Sequence, residues 1–474
     1  MTENLPDKDQ IISGLRALVG ASNVFETDIT KAPYLTDWRK RFTGRALCVV
    51  RPASTAEVAA VMRIAADYKL SVVPQGGNTG LVGGSVPIGR GDEIVISLGR
   101  MNQIREVDPL SDTMIVEAGA TIASVQVRAE DEGRFFPLSL ASEGTATIGG
   151  AISTNAGGTA VLAYGNMRDL VLGLEVVLAD GRIWNGLGKL RKDNTGYDLK
   201  NLFVGSEGTL GMVTAAVIKL FPAPKSRATA ICGLASPEDA LAFLAIAKAA
   251  GGSSLTTFEI IPRIGIELVL KHFTDTRDPL FNCHDWYVLI EFSSASTDGA
   301  DEMAQSVILE GIDKAFIEDG VFATSIAQRE AFWELREYLP DAQTRDGQSI
   351  KHDISVPLAS VPALIAAVIP EVEVLVPGIR PLPFGHLGDG NLHFNFQAPE
   401  GPDDPSYLER SSEVHAIVYR HVLAMAGSIS AEHGIGQVKR AQLAETKDPV
   451  ALELMRTLKN AFDPVGRMNP GKLL

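Results

Sequence analysis

PQGGNTGLVGGS, residues 74–85, is the stretch of sequence from which the fold is predicted. Its glycines stand at positions 76, 77, 80, 83 and 84, where the backbone can adopt left-handed angles and bring consecutive N–H groups close to an anion. The six-residue G-x-G-x-x-G spacing of a Rossmann fingerprint is absent. The stretch therefore indicates a pyrophosphate-binding loop of another kind, and a mobile surface loop is the alternative interpretation.

The residues before this loop read as a strand, a helix and a second strand. The first strand is predicted at 46–52, ALCVVRP, which is apolar and rich in β-formers. Ser54 and Glu57 are expected to form a capping box at the start of the helix. Four residues then follow at helical spacing: Val58, Val61, Ile64 and Tyr68. The second strand, Ser71 to Pro74, runs directly into the glycine loop, as a phosphate-binding site requires.

Two more loops rich in glycine and hydroxyl residues follow in the same half of the chain. They read SEGTATIGGAISTNAGG from Ser142 and GSEGTLG from Gly205. Their small side chains suit the lining of a flat ring or hydrogen bonding to phosphate, and the segment from Pro137 is too rich in Gly, Ser and Thr to be predicted as a helix interior. One large nucleotide threaded between the three loops explains them better than three unrelated turns.

The remaining pattern predicts two α+β domains. Strands are expected in EIVISL and TMIVEA between 93 and 118, and a hairpin is expected at 174–184 with Asp180 and Gly181 at its turn. The segment FPAPK, ending at Lys225, is typical of a linker. Beyond it the sequence predicts a helix from about 236, a strand at 286–292, helices between about 301 and 339, strands up to 396, and a helix at about 412–426.

Length and composition restrict the class of protein. A chain of 474 residues, 45% hydrophobic and 21% charged, predicts two or three packed domains. The net charge of −15 argues against a nucleic-acid or anionic-membrane partner. Three widely spaced cysteines without a CxxC motif favour neither a disulfide framework nor an iron–sulfur cluster. No signal-peptide pattern and no stretch approaching roughly 20 apolar residues are found, so we expect a cytoplasmic protein without a membrane span.

A second group of chemically suggestive residues lies near the C-terminus. PFGHLGDGNLHFNF, residues 383–396, carries His386 and His393 on either side of a turn, so that two imidazoles can meet across a bend. Strand alternation places His393 and Asn395 on one face. SAEHGIG, residues 430–436, adds Glu432 and His433. Two imidazoles and a carboxylate suit Zn²⁺, with Mn²⁺ or Fe²⁺ as alternatives, and a pair of structural histidines is the other interpretation.

Four strings together resemble one known family over nearly the whole chain: RPASTAEVAAVM, PQGGNTGLVGG, ASEGTATIGGAISTNAGG and VGSEGTLGMVT. The sequence resembles the FAD-linked oxidoreductases of the vanillyl-alcohol-oxidase (PCMH-type) fold, and within them the D-2-hydroxy-acid dehydrogenases. The resemblance implies an α+β protein with a PCMH-type FAD-binding domain of two α/β subdomains over 1–222. It further implies a substrate (cap) domain with an antiparallel sheet over 223–430. A C-terminal segment, 431–474, is expected to return to the FAD domain and complete the active site.

The same resemblance assigns the three loops to FAD. It implies that Pro74 to Ser85 cradles the pyrophosphate, that Ser142 to Gly158 borders the isoalloxazine and ribityl chain, and that Glu207 to Val213 lies near the adenosine. No histidine precedes His272 and no cysteine lies in the loops, so we expect noncovalent FAD. The expected FAD contacts are Pro74, Gly76, Gly77, Asn78, Thr79, Gly80, Gly84, Ser85, Ser142, Gly144, Thr147, Gly149, Gly150, Ser153, Asn155, Gly158, Glu207, Gly208 and Val213.

The resemblance also gives roles to residues of the second half. It implies a divalent metal, with zinc expected, on His386, His393 and Glu432, and His433 as the base that takes the substrate's hydroxyl proton. Arg336, Lys351 and Asn395 are the expected substrate contacts. The implied reaction is oxidation of a D-2-hydroxy acid, D-2-hydroxyglutarate above all, to the 2-oxo acid by hydride transfer to flavin. Family members acting on dicarboxylates carry a hydroxyl residue four positions after the arginine, where this chain has Pro340, so the resemblance supplies no pocket for a second carboxylate.

Several alternatives stay open at this point. A D-lactate, D-malate or glycolate dehydrogenase would share the fold and the site. A metal-dependent hydrolase would use the two histidines and the glutamate but leaves the three glycine loops unexplained, and a nucleotide-binding protein without catalysis predicts flavin that no hydroxy acid bleaches. An electron-transfer flavoprotein, a quinone or another carrier is expected to reoxidise the flavin, direct use of oxygen is open, and a homodimer is among the expected assemblies.

Overall fold

The computed structural model describes residues 8–401, 404 and 406–474 of the protein, which form two compact units. The first unit holds the chain up to Gly158 together with Gly165–Ala223 and His433–Leu474. The second unit holds Thr159–Tyr164 and Pro224–Glu432. The sequence predicts limits at 222 and 430 and assigns residues 159–164 to the first domain, whereas in the structure this short segment groups with the second unit.

Helices and strands are distributed over both units. The helices, in chain order, are α1 Lys8–Val19, α2 Asp28–Leu35, α3 Thr55–Asp67, α4 Ile122–Glu130, α5 Ile148–Thr154, α6 Val161–Tyr164, α7 Met167–Leu170, α8 Lys200–Phe203, α9 Pro237–Gly251, α10 Arg263–His272, α11 Gly299–Asp313, α12 Ile326–Glu337, α13 Leu339–Asp346, α14 Val361–Leu375, α15 Ser411–Ala424, α16 Arg440–Thr446 and α17 Pro449–Phe462. The strands are β1 Val24–Phe25, β2 Cys48–Val50, β3 Ser71–Gln75, β4 Glu93–Ser97, β5 Ile104–Asp108, β6 Thr113–Glu117, β7 Arg134–Phe135, β8 Val171–Val177, β9 Ile183–Gly186, β10 Met212–Lys219, β11 Phe221–Pro222, β12 Ser226–Leu234, β13 Leu255–Pro262, β14 Trp286–Ser294, β15 Asp319–Phe322, β16 Ser349–Ile350, β17 Ile354–Ser355, β18 Arg380–His386 and β19 Asn391–Gln397.

The first unit contains a four-stranded and a five-stranded sheet. The four-stranded sheet has the order β1-β2-β4-β3, in which β2, β4 and β3 run parallel. Its central strands are buried and, apart from Glu93 and Ser97 at the two ends of β4, apolar, as in a parallel sheet covered on both faces. The five-stranded sheet, β5-β6-β10-β8-β9, pairs antiparallel throughout. These two α/β subdomains confirm the predicted fold class, and the predicted hairpin is β8–β9.

The predicted helix between the first two strands is confirmed as α3, but its cap differs from a capping box. The Ser54 hydroxyl accepts a hydrogen bond from the Glu57 N–H at 3.2 Å, as expected. The Glu57 carboxylate, however, accepts from the N–H of Ala53 at 2.8 Å instead of that of Ser54. The carboxylate therefore satisfies a donor one residue further from the helix.

The segment from Ser142 contains a helix, which corrects the prediction that glycine, serine and threonine would exclude one. The Thr147 hydroxyl caps α5 by accepting from the Gly150 N–H at 3.4 Å, and the helix ends at Asn155 in the left-handed conformation, with φ 51°. Gly149 is required because a β-carbon there would lie 2.6 Å from the β-carbon of Ala118. Close packing thus overrides the low helix propensity of glycine. The strands that the sequence did not predict include β5, β12, β13 and β15.

The second unit is built on one antiparallel sheet, as predicted. Its strand order is β15-β12-β14-β13-β18-β19-β16, and β17 pairs with β19 beside β16. One face packs on a core that includes Phe394, Phe396 and residues of α9, α11, α14 and α15. The opposite face packs on a second core formed with α10, α12 and α13. Successive side chains of each strand therefore point to different cores, which sends His393 and Asn395 away from Phe394 and Phe396, as predicted.

One described stretch, Leu358–Leu375, is long and apolar enough to cross a membrane by length and composition alone. No stretch approaching that length is predicted from the sequence, and this prediction is wrong for Leu358–Leu375. In the structure this stretch is a short 3₁₀ turn followed by α14. Leu364, Val368 and Val372 of α14 are fully buried in the core of the second unit. A helix that packs into a protein core can have the same length and composition as a membrane span.

The close packing of α5 can be tested with two neighbouring glycines. Gly149→Ala should destabilise the first unit by about 1–3 kcal/mol, because the added methyl group collides with Ala118. Gly150→Ala is the matched control, since its added carbon would meet only the Thr147 hydroxyl at 3.3 Å and alanine favours the helix. Urea unfolding of the apoprotein measures both variants. Equal stability of the two would contradict the packing argument.

Candidate active site

The glycine loop of the first unit is shaped by close backbone approach. A β-carbon at Gly77 would lie 1.9 Å from the carbonyl oxygen of Thr145, so only glycine fits where the first two loops meet. A β-carbon at Gly80 or Gly144 would meet nothing within 4 Å. The loops thus leave room on one side while packing on the other. That open side, lined by glycines, fits the diphosphate of a bound nucleotide.

Side chains from distant parts of the chain close the loop at its base. The Gln75 amide donates to the carbonyl oxygens of Tyr34 and Ser85, at 2.9 and 2.8 Å. Gln437 donates to the carbonyl of Gly83 at 2.7 Å. Asn469 donates to the carbonyls of Gly84 at 2.9 Å and Glu207 at 2.7 Å. Residues of the returning segment, His433–Leu474, therefore brace the loop from the C-terminal end of the sequence.

Glu207, expected near the adenosine, has its carboxylate engaged elsewhere. The two oxygens accept hydrogen bonds from the N–H groups of Ile435 and Gly436, at 2.7 and 2.8 Å. Burial raises the pKa of this carboxyl, although the two N–H donors act in the opposite direction. The side chain of Glu207 thus anchors the returning segment, and a contact with the cofactor is left to its backbone.

Other predicted cofactor residues also use their side chains to shape the loops. Asn78 has φ 54°; it donates to the Thr36 carbonyl at 2.8 Å and accepts from the Ser85 hydroxyl at 2.7 Å. Ser153 donates to the carbonyl of Gly149, and Asn155 accepts from the N–H of Arg168. These bonds fix the backbone that a nucleotide would meet. The individual FAD contacts named from the sequence stay predictions.

In the second unit the predicted metal residues come together. β18 ends at His386, a tight turn follows, and β19 brings back His393, whose imidazole centre lies 5.7 Å from that of His386. Nε2 of His386 is 3.3 Å from Oε1 of Glu432. One ligand atom from each of the three residues lies within 4.8 Å of the others. Two imidazole nitrogens and a carboxylate oxygen at this spacing fit a divalent cation of the zinc type.

A residue that the sequence did not reveal, Glu259, lies directly behind this group. It stands in the middle of β13, opposite His386 in the pairing with β18, and is 1% exposed. One carboxylate oxygen is 2.5 Å from Nδ1 of His386, and the other accepts from Nε of Arg336 at 2.6 Å. A single charged residue among the apolar neighbours of LTTFEIIP is the signal that could have identified it.

The pKa values of the two histidines are shifted in opposite directions. Burial alone would lower the pKa of His386, but the carboxylates of Glu259 and Glu432 outweigh it and raise that pKa well above its usual value. Burial lowers the pKa of His393 to about 3, which keeps this imidazole neutral, as a metal ligand must be. Burial would raise the pKa of Glu259, yet His386 and Arg336 lower it to about 2. Glu259 is therefore an ionised carboxylate held between two cations.

Asp353 is a second residue that the sequence did not single out. Its carboxylate accepts from the Asn391 amide at 3.1 Å and from the backbone N–H of Glu432 at 3.0 Å. Asn391 also donates to the carbonyl of Ile354 at 2.9 Å. These bonds fix the main chain at Glu432, which has no regular secondary structure of its own, and so help to place its side chain beside His386.

The other predicted site residues occupy different positions. Arg336 is buried on α12, with its guanidinium 4.9 Å from the ring centre of Phe384. Lys351 donates to the carbonyl of Pro340 at 3.4 Å. Asn395 is buried, accepts from the N–H of His352 at 2.9 Å and donates to Gln343 at 3.0 Å, so both ends of its amide are used within the unit. A substrate contact by Asn395 would have to use the second N–H or the second lone pair of its amide.

His433 follows Glu432 in the chain and begins the last segment of the first unit. It is partly exposed and lies in a turn region that leads into Gly434 and Gly436, both with positive φ. The backbone beyond it is held by Glu207 through the N–H groups of Ile435 and Gly436. Its role as a base stays a prediction.

Two family models match the chain and divide it near the boundary at Ala223, although the second also covers residues 433–473 of the first unit. A model described as an FAD binding domain matches residues 46–186, and one described as FAD linked oxidases, C-terminal domain, matches residues 223–473. The chain belongs to the FAD-linked oxidase family. The predicted enzyme class, an FAD-dependent oxidoreductase, is thereby confirmed.

Individual relatives extend over nearly the full chain. The mitochondrial D-2-hydroxyglutarate dehydrogenase of Arabidopsis thaliana is 36% identical over 99% of this chain and 82% of its own length. The D-2-hydroxyglutarate–pyruvate transhydrogenase of Saccharomyces cerevisiae is 37% identical over 94% of this chain and 89% of its own. Substrate-bound p-cresol methylhydroxylase, 16% identical, superposes with a TM-score of 0.75 over 98% of this chain and 96% of its own, which confirms the PCMH-type fold. The cytoplasmic location stays a prediction.

The brace formed by Asn469 predicts an effect on cofactor retention. Asn469→Ala removes two hydrogen bonds that hold Gly84 and Glu207, and we expect the affinity for FAD to fall about tenfold. Asn23→Ala is the control, because Asn23 also donates to a backbone carbonyl of the first unit, that of Val19, outside the three loops. Titration of the apoprotein with FAD gives both affinities. Wild-type affinity in Asn469→Ala would show that the brace does not shape the loop for the cofactor.

Proposed function

We propose that the protein oxidises a D-2-hydroxy acid, in the first place D-2-hydroxyglutarate, to the 2-oxo acid with FAD as the oxidant and a divalent cation, zinc expected, as an aid. The observation that carries this proposal is the group of His386, His393 and Glu432 joined through Glu259 to a buried arginine, in a chain of the FAD-linked oxidase family. The names of the two relatives support the substrate class.

Arg336 is the proposed partner of the substrate carboxylate. Its Nε is used by Glu259, which leaves the two terminal nitrogens to form a bidentate pair with an anion. A protein of net charge −15 repels anions in general, so an acid substrate requires such a local cation. Lys351 is the second proposed contact.

Three side chains would hold the cation: His386 through Nε2, His393 and Glu432. A divalent cation bound there supplies a Lewis acid that lowers the pKa of a substrate hydroxyl. His393 is suited to this role because its imidazole is neutral, and His386 because its Nδ1 is already bonded to Glu259. With three protein ligands, a zinc ion held there would have a coordination position available for the substrate.

His433 is the proposed base. It takes the hydroxyl proton, while the hydrogen on the α-carbon leaves with its electron pair and the carbon becomes a carbonyl. FAD, when bound, supplies the acceptor for that hydride. The proton thus moves from the substrate oxygen to His433. An electron-transfer flavoprotein, a quinone or another carrier is proposed to take the electrons afterwards.

A smaller acid is the second candidate substrate, and Pro340 favours it. Family members that act on dicarboxylates place a hydroxyl at this position, and here the proline offers only its carbonyl oxygen, which already accepts from Thr344 and Lys351. A second carboxylate would therefore lack one expected donor. D-Lactate, D-malate and glycolate are the acids to compare.

A substrate panel tests the proposed function directly. Under anaerobic conditions D-2-hydroxyglutarate should bleach the bound flavin, its L-enantiomer should not, and prior treatment with a chelator should slow bleaching at least tenfold. Restoring Zn²⁺ or Mn²⁺ should recover the rate. If D-lactate were bleaching faster by a wide margin, the substrate would be the smaller acid. If no 2-hydroxy acid bleached the flavin, the proposal would be wrong.

The role of His433 has its own test. His433→Ala should lower the rate of flavin reduction by roughly 10²–10⁴-fold while the protein keeps its yellow colour, because a general base contributes about that factor. His421→Ala serves as control, since His421 lies on α15 and pairs with Glu371 at the surface. Full flavin reduction at the wild-type rate in His433→Ala would remove it from the mechanism.

A further inference from the structure

The feature that calls for explanation is the charge of Glu259 inside the sheet. All eight residues of β13 are buried, and Glu259 is the only one of them that carries a charge. Removing an ionised carboxylate from water costs several kcal/mol unless hydrogen bonds and opposite charges compensate. The partners that compensate for the charge of Glu259 therefore determine what this carboxylate does in the site.

Its two oxygens serve two different partners. Oε1 meets Nδ1 of His386 at 2.5 Å, and Oε2 meets Nε of Arg336 at 2.6 Å. An ionised carboxylate only accepts hydrogen bonds, so Nδ1 of His386 carries the hydrogen. The other ring nitrogen, Nε2, lies 3.3 Å from Oε1 of Glu432, on the side of the ring where a cation would be held. The carboxylate thus selects the tautomer that a metal ligand needs.

The same carboxylate fixes the guanidinium. Arg336 comes from α12, in a layer of helices against the sheet, and its charge lies over the ring of Phe384 at 4.9 Å. The bond from Nε to Glu259 prevents rotation of the planar group about its long side chain. Its terminal nitrogens are therefore aimed in one direction, which is the condition for a bidentate contact with a carboxylate.

We propose that Glu259 is a positioning residue that sets the cation site and the substrate arginine at once, one with each oxygen. This inference rests on the proposed function for the identity of the cation and the acid. It adds that metal affinity and substrate affinity share one origin, a carboxylate that contacts neither ligand. Loss of Glu259 then weakens metal affinity and substrate affinity together. Shortening the side chain has the same effect as removing its charge.

Two variants of Glu259 separate positioning from charge balance. Glu259→Gln removes the charge and keeps the shape. Glu259→Asp keeps the charge but is shorter by one methylene group, so that its carboxylate cannot reach His386 and Arg336 together. If Glu259 only neutralised its neighbours, aspartate would restore the wild-type properties. If it positions them, both variants are impaired.

The neighbouring strand offers a matched control. Glu291 of β14 is also buried, pairs with Thr257 two residues from Glu259, and bonds to Thr229 at 2.7 Å and Trp333 at 3.1 Å. It contacts neither His386 nor Arg336 in the described interactions. Glu291→Gln therefore reports the cost of removing a buried carboxylate from this sheet, without the proposed positioning.

The experiment measures Zn²⁺ affinity of the FAD-loaded protein by competition with a chromophoric chelator, and KM and kcat for the acid at saturating metal. We expect both Glu259 variants to bind Zn²⁺ 10–100-fold more weakly and to show a raised KM, while Glu291→Gln stays within twofold of wild type in both. Circular dichroism and flavin content identify variants that fold. If Glu259→Gln did not fold, Glu259→Asp would carry the comparison.

Two results would overturn the inference. One is a Zn²⁺ affinity of the folded Glu259 variants within twofold of wild type. The other is full restoration by aspartate, which would leave only charge balance. Both are measured by metal binding without turnover, so a failure of the substrate assignment, seen as wild-type protein that oxidises no 2-hydroxy acid, is distinguishable from a failure of this inference.

Discussion

A carboxylate in the interior of a sheet stays charged only if it is paired with cations, and Glu259 is paired with His386 and Arg336. The pairing of β13 with β18 sets it opposite His386, and the helix layer above the sheet supplies Arg336. The strand order that places β18 between β13 and β19 also brings His393 to the same face. The candidate site therefore follows from one stretch of antiparallel pairing, and the buried ion group makes any other register of these strands costly.

Those parts of the fold that depend on local pattern could be predicted from the sequence. The helix α3, the β8–β9 hairpin and the strand leading into the glycine loop all follow from spacing and turn residues within a few positions. What could not be predicted is carried by contacts between distant residues. Gln437 and Asn469 donate hydrogen bonds to a loop some hundreds of residues earlier in the chain, and the sequence around them does not indicate this contact. Helix α5 forms because Gly149 packs against Ala118, a contact that outweighs propensity.

In the candidate site, too, local features could be predicted and contacts between distant residues could not. His386 and His393 flank a turn, and alternation in β19 assigns His393 its face, so their meeting is a local inference. Glu259 lies 127 residues from His386 in the chain, and the motifs that place ligating residues close together in sequence do not include it. Asp353 escaped for the same reason. A lone acid in an otherwise buried strand indicates a polar partner, since burial of a charge requires one, but Glu291 of β14 carries the same signal outside the site.

The balance of charge explains why the group pairs two acids with two bases. Glu259 and Glu432 are negative, Arg336 is positive, and the raised pKa of His386 makes it the second cation, so the four side chains are neutral together. A divalent ion bound at Nε2 would replace the proton on His386 and so add one positive charge to a site that also contains the carboxylate of Asp353. An acid substrate brings one negative carboxylate to that charge. A cation bound there would therefore favour an acid substrate, together with Arg336, in a protein that is acidic as a whole.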